Sequence, residues 1–275
     1  MAFIEGNSRC AIEINGETLR KISPDRDYSP RLQRQVEKQR EFGTYNRLWF
    51  CRTPKVLAER WDGEIYQVEM QYSNGLDFIE FIKHASRDSL DLAADHLDRI
   101  VTQSIETSAM TRVPYATLRD KMASIAPRCA AVAGVDIPPL FEKLPTDDLD
   151  LPVGHCHGDL TLSNILFRQG GITVIDFLDN FIETPLQDMV KVRQDTCFLW
   201  SCQLYRQPFD KVRTELALRY MDQRVHEMFS RHDFYRRHYA IFQFVNLARV
   251  LPYCQTPQLQ QHVVRCLKTV VEQHV

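Results

Sequence analysis

Three side chains within one short stretch have the types and spacing of a reaction centre. Asp159 follows His157 and Gly158, Asn164 stands five residues after it, and Asp176 lies in the apolar run ITVIDF. Phosphoryl transfer from a nucleotide calls for this set in this order. One carboxylate takes the proton of the attacking hydroxyl while standing close to the metal without being consumed as its ligand, and Asp159 fits that base. A neutral amide oxygen and a second carboxylate hold Mg2+, which prefers hard oxygen ligands and bridges the phosphates; Asn164 and Asp176 fit those positions.

Such a set needs a scaffold, and the first seventy residues read as strands with one helix. Asn15-Gly16 separates CAIEI from TLRKIS, and Asp62-Gly63 separates KVLAER from EIYQVEM, both hairpin signals. Between them SPRLQRQVEKQREFG predicts a helix with Ser29 as N-cap, Pro30 at the first position and Gly43 at the C-terminal end. At 100° per residue Leu32, Val36 and Phe42 form its apolar face, with Gln35 and Gln39 on that face and Glu37 and Glu41 nearly opposite. From Leu76 onward apolar residues recur every three or four positions in LDFIEFIKHAS, SLDLAADHLDRIVTQSI and YATLRDKMASI, which are helices. PPLFEKLPTDDLDLP breaks them, GHCHGDLTLSNILF and GGITVIDFLD form a β-like island, and the helical period returns after Pro185. The fold class is α+β: a small β-rich lobe and a larger, mainly helical one, with a natural cleft between them.

Composition narrows the function. The 275 residues, 44% hydrophobic and 25% charged, suit a soluble globular chain of one large or two small domains. A net charge of −2 supplies no field for a nucleic-acid backbone, so no nucleic-acid partner is expected. No run of about 18 apolar residues predicts a membrane span, and the start lacks a secretory signal. Eight scattered cysteines without a C-x-x-C pair read as reduced, mostly buried thiols of a cytoplasmic protein.

HGDLTLSNILF, VIDF and the downstream Pro185-Leu186-Gln187-Asp188 together resemble the aminoglycoside phosphotransferase and choline kinase family, whose fold is related to that of protein kinases. The resemblance is strongest over residues 153–195. It implies a two-lobed protein-kinase-like fold, with residues 1–70 clamping the nucleotide and residues 71–275 carrying the catalytic loop and acceptor site. It implies an ATP-dependent, Mg2+-requiring kinase of a small-molecule hydroxyl, with Asp188 bracing the catalytic loop and His157 supporting it. Lys21 occupies the place of the family's phosphate-binding lysine; Arg20, facing the other way along the strand, is the competitor. The helix would present a carboxylate to that lysine, but the inward residue is Gln35, so Lys21 would lean on Asp176 and the phosphates, or the glutamines would merely satisfy buried backbone. The connector from Met70 to Gly75 resembles the family's hinge, with the Gln71 carbonyl and the Ser73 N–H placed for adenine. Glu5-Gly6-Asn7-Ser8 is either a flap over the phosphates or an ordinary turn.

Segments like IDFLDNFIETPLQDMVKVRQD resemble kinase-like proteins of bacterial surface-polysaccharide pathways, which points to a sugar-related or polyol acceptor. An amino alcohol or aminoglycoside is the alternative, as is a nucleotide-binding regulator without transfer activity. Phe-Leu after Asp176 disfavours a protein kinase. Lys191, Val192 and Asp195 share the helical face of Asp188, so Lys191 and Asp195 either pair with each other or hold the acceptor. Asp179 is either a solvated loop carboxylate or an aid to the metal through a water, His155 reads as a structural histidine, and Asp147, Asp148 and Asp150 are either an exposed charged loop or an attraction for a cationic acceptor. The sequence carries no signal for an oligomeric state.

Overall fold

A computed structural model describes residues 2–5 and 10–274. The chain opens with β1 (Ala2–Glu5), β2 (Ala11–Asn15) and β3 (Thr18–Ile22), then α1 (Ser29–Tyr45), β4 (Cys51–Arg52), β5 (Val56–Asp62) and β6 (Ile65–Gln71). An antiparallel sheet takes the order β1-β2-β3-β6-β5. Its two predicted hairpins turn at Gly16 and Gly63, whose φ values of +61° and +58° are costly for any residue with a Cβ.

The helix α1 lies across β6, and the Ser29 hydroxyl accepts the Tyr66 N–H at 3.0 Å. That corrects the expected ends of this helix. Tyr28 precedes the first turn, Ser29 serves the sheet rather than the cap, and the helix runs past Gly43 to Tyr45. Leu32 and Val36 join Cys10, Tyr66, Val68 and Met70 in a separate small core, whereas Phe42, two turns on, belongs to the main core. Burying each such side chain contributes about 1.5–3 kcal/mol, so α1 is anchored to both lobes.

After the connector come α2 (Phe78–His84), α3 (Arg87–Glu106), β7 (Ala109–Val113), α4 (Tyr115–Ala133), α5 (Pro138–Phe141) and β8 (Leu149–Val153). The β island follows as β9 (Ile165–Arg168) and β10 (Gly171–Val174), and then α6 (Pro185–Thr196), α7 (Trp200–Leu204), α8 (Lys211–Phe229), α9 (Asp233–Val250) and α10 (Pro257–His274). β10 pairs antiparallel with β9 and parallel with β4. The pairing of β7 with β8 was not read from sequence, because their partners lie far apart along the chain. The connector is fixed from below: Leu76 and Phe167 exchange backbone bonds of 2.9 and 2.8 Å, and a Cβ on Gly75 would lie 2.8 Å from Leu166. Among the described residues no helix is long and apolar enough to cross a membrane.

Candidate active site

Asp188, in the first turn of α6, is fully buried, and its two carboxylate oxygens accept the N–H groups of His157 at 2.6 Å and Gly158 at 2.7 Å. Burial pushes this carboxyl up, to about 7, while the two N–H bonds and Lys38 hold it down. The His157 ring faces inward: Nδ1 accepts the Asp159 N–H at 3.2 Å, Nε2–H donates to the Ile175 carbonyl at 2.9 Å, and Phe177 packs 4.2 Å away, centroid to centroid. Acceptance at Nδ1 needs a neutral imidazole, and burial lowers its pKa to about 4. Gly158 takes φ +88° where a Cβ would come within 1.9 Å of the Leu178 carbonyl. Only glycine lets these two segments approach so closely.

Asp159 is thereby turned toward the cleft. Its carboxylate accepts the Asn164 amide at 3.0 Å and pairs with Lys191 Nζ at 3.0 Å. This corrects the expectation of a Lys191–Asp195 pair or a shared acceptor contact. Asp195 is buried and its oxygens are fully taken, by Leu162 N–H at 2.6 Å and by the N–H and hydroxyl of Ser201, each at 2.9 Å. It braces the far end of the catalytic loop as Asp188 braces the near end.

Beside the catalytic loop, where the Ile175 N–H donates to the Asn164 carbonyl at 3.0 Å and the Leu178 N–H to the His157 carbonyl at 3.1 Å, Asp176 adopts the left-handed conformation, φ +60°, which aspartate tolerates better than most residues. Lys21 on β3 is buried and bonds Asp176 at 2.9 Å, while Asp176 keeps 49% of its side chain open. Lys21 beside it holds the Asp176 carboxyl below the usual carboxylate range. Arg20 points to the opposite face of the strand, toward Glu13 and Glu69. Gln35 is buried and makes no hydrogen bond to Lys21; Gln39 donates to the Pro54 carbonyl at 2.7 Å.

Sequence reasoning looked for a carboxylate on α1 and missed what the helix delivers. Arg31, Arg34 and Lys38 form a basic flank beside the apolar stripe, a signal visible in their i, i+3, i+7 spacing. Arg34 pairs with Asp179 at 3.3 Å and Arg31 at 3.8 Å, while Lys38 bonds Glu183 and, at 2.7 Å, the Leu178 carbonyl. Asp179 is therefore a tether to α1 rather than a solvated loop carboxylate. Phe42 of α1 packs 5.2 Å from Phe177, so the helix also touches the residue after Asp176.

His155 stacks on Tyr45 at 4.3 Å. Asp148 accepts the Tyr115 N–H at the start of α4 and pairs with Arg112, as does Asp150. At the connector the Gln71 and Tyr72 N–H groups bond Lys55 and Glu17 carbonyls, and among the described residues the Ser73 N–H takes part in no hydrogen bond. Gly6, Asn7 and Ser8 of the flap reading lie outside the described residues.

The donors suit a hard divalent cation. Asp176 is half open, and Asn164 uses its amide nitrogen on Asp159, leaving the amide oxygen as a ligand. Among the described residues no three His, Cys, Asp or Glu side chains cluster as a closed metal site, so phosphate oxygens and water would complete the shell.

A buried aspartate bracing a carboxylate-bearing loop, with a second aspartate beside that loop reached by a lysine from the other lobe, is the arrangement of a phosphoryl-transferring enzyme of two-lobed, protein-kinase-like fold. Residues 26–222 match the model of the phosphotransferase enzyme family, and the chain belongs to that family. No curated protein matches it significantly. Among solved structures it is similar to the gentamicin complex of APH(2")-IIa, at 12% identity and TM-score 0.60, covering 98% of this chain and 90% of that one. A thermostable mutant of the aminoglycoside phosphotransferase APH(4)-Ia, with ADP and hygromycin B, matches at 12% identity and TM-score 0.57, covering 98% and 92%. A choline/ethanolamine kinase family protein from Mesorhizobium loti matches at 13% and 0.51, covering 98% and 87%.

Proposed function

We propose that the protein transfers the γ-phosphoryl group of ATP to a hydroxyl of a small molecule, sugar-related or polyol in character, with Asp159 as base. The observation that carries this reading is the placement of Asp159: fixed through His157 and Asp188, bonded to Asn164, and on the loop whose backbone bonds the chain on both sides of Asp176, the residue that Lys21 reaches from the other lobe. Residues 1–70 serve as the nucleotide-clamping lobe, with the Gln71 carbonyl and Ser73 N–H at the adenine edge and Gln35 behind Lys21. Residues 71–275 carry the acceptor.

In the reaction the acceptor oxygen forms a bond to the γ-phosphorus, the bond from that phosphorus to the β-bridging oxygen breaks, and ADP leaves. Asp159 takes the hydroxyl proton. Lys191 holds the other side of that carboxylate, so its free oxygen direction is set. Lys21 meets the phosphates as their charge shifts toward ADP. Asn164 and Asp176 would hold Mg2+, which would neutralise phosphate charge.

The test combines calorimetry with phosphorus NMR. Mg-ATP should bind the wild type and bind Asp176→Ala at least about tenfold more weakly, and a panel of sugars, polyols and amino alcohols should yield a new phosphate ester with one of them. Unchanged Mg-ATP affinity in Asp176→Ala would remove Asp176 from the metal site.

A further inference from the structure

Beyond Asn180, positive charge gathers from three separate elements. Lys121 and Arg128 stand seven residues apart on one face of α4, Arg249 ends α9, and Arg31 comes from α1. The cationic groups of Lys121 and Arg249 share one ring, lying 5.7 and 5.5 Å from the centroid of Phe181. Arg128 lies 5.3 Å over the ring of Tyr253, which directly follows α9. Arg249 donates to Asn180 Oδ1 at 3.2 Å, and Asn180 Nδ2 donates to the Gly158 carbonyl at 3.0 Å, so the cluster is two hydrogen bonds from the peptide that carries Asp159.

The charge is not met by acids. Among the described residues none of Lys121, Arg128 and Arg249 has a carboxylate within salt-bridge distance. Arg31 reaches Asp179 at 3.8 Å, but Arg34 already holds that carboxylate at 3.3 Å. Asp159 is paired with Lys191. The titration directions agree: Lys121 is lowered by burial and then by Arg249, Arg128 and Arg31, and Arg249 is lowered by burial against the opposing pull of Asp159. Tyr253 is lowered by Arg128 first, against the opposing effect of burial, and further by Arg31 and Arg249. Like charges brought together and partly desolvated raise the free energy of the empty protein, and an anion between them relieves it.

We propose that Lys121, Arg128, Arg249 and Arg31 with Tyr253 form the acceptor subsite for an anionic group, a phosphate or carboxylate borne by the molecule whose hydroxyl meets Asp159. The proposal rests on the kinase reading above and makes its acceptor an acidic one, such as a sugar phosphate or acidic sugar. The same cluster repels an amino alcohol or an aminoglycoside, whose cationic groups would face four positive charges.

The experiment fills the nucleotide site of the full chain with Mg2+ and a non-hydrolysable ATP analogue and titrates inorganic phosphate, glucose 6-phosphate, glucuronate, glucose and choline by calorimetry. Wild type should bind at least one of the three anions, more weakly as salt rises, and bind neither glucose nor choline. Lys121→Ala and Arg128→Ala should each weaken that anion about tenfold or more while leaving analogue affinity unchanged and the melting temperature no lower. Glucose 6-phosphate against glucuronate tells phosphate from carboxylate. Absence of anion binding in the nucleotide-filled wild type, or wild-type anion affinity in both variants, overturns the subsite. Choline binding without anion binding would overturn it and leave the kinase reading standing; failure of the analogue itself to bind would instead count against the kinase reading.

Discussion

Replacing Gly158 by alanine perturbs the catalytic loop at its tightest point. The new Cβ would lie 1.9 Å from the Leu178 carbonyl oxygen, 2.5 Å from Asn180 Nδ2 and 2.9 Å from Lys38 Nζ. The lysine can swing away, but a backbone carbonyl cannot. Ordinary contact begins at 3.4 Å, so the two segments must part by about 1.5 Å. The φ of +88° adds about 1–3 kcal/mol for a residue with a Cβ. The opening also strains the Leu178-to-His157 backbone bond of 3.1 Å, which joins the loop to the segment that follows Asp176. A misplacement of about 1 Å at a reacting group costs on the order of 10²-fold in rate, so kcat should fall at least that much. Melting temperature should fall by roughly 5 °C, at about 2–4 °C per kcal/mol for a chain of this size. Gly16→Ala is the control: its φ is +61°, yet nothing lies within 4 Å of its Cβ. It should cost about 1 kcal/mol and leave kcat alone. Steady-state kinetics and scanning calorimetry on the pair decide the matter. A Gly158→Ala enzyme with near-wild-type kcat and melting temperature would refute the close approach.

The other predictions address single contacts. His157 should titrate near 4 by NMR rather than at its ordinary 6.5, as the neutral Nε2–H tautomer. Because its folded pKa is depressed, it contributes stability above 6.5 that is lost as pH falls toward 4, about 3 kcal/mol at 1.36 per unit; a ring titrating near 6.5 would contradict the buried neutral assignment. Asp188, raised to about 7, works oppositely, its contribution being lost as pH rises through that value, so site-resolved titration is the measurement to use. Asp195→Ala strips the acceptor from three donors and should lower stability by about 3–5 kcal/mol; an unchanged melting temperature would contradict its bracing role. Lys21→Ala should weaken Mg-ATP about tenfold or more with Arg20→Ala unaffected, and equal affinities in the two variants would count against Lys21 on the phosphates.

Much of this was legible in sequence, and the exceptions share a cause. Asn-Gly and Asp-Gly between alternating runs marked both hairpins because positive φ is a local demand. The order from His157 to Asp176 marked the loop because its spacing lies within one contiguous stretch. Ser29 reads as a cap locally but is spent on Tyr66, thirty-seven residues away. The Lys191–Asp159 pair, the bonds of Asp195 and the basic flank of α1 meeting Asp179 and Glu183 all join distant segments. The periodicity of one helix says which residues share a face, not what stands opposite that face. Pro127 inside α4 likewise hid the continuation of that helix to Ala133, where Gly134 at φ +62° ends it.

The role of Asp159 carries the whole account, and Asp159→Asn tests it most directly. Asparagine keeps the size of the side chain and the loop braced through His157 and Asp188 but takes no proton. Single-turnover phosphate transfer should fall by about 10²–10⁴-fold, with Mg-ATP affinity by calorimetry within a few-fold of wild type. Phosphate transfer at a near-wild-type rate by the Asp159→Asn enzyme would contradict the account.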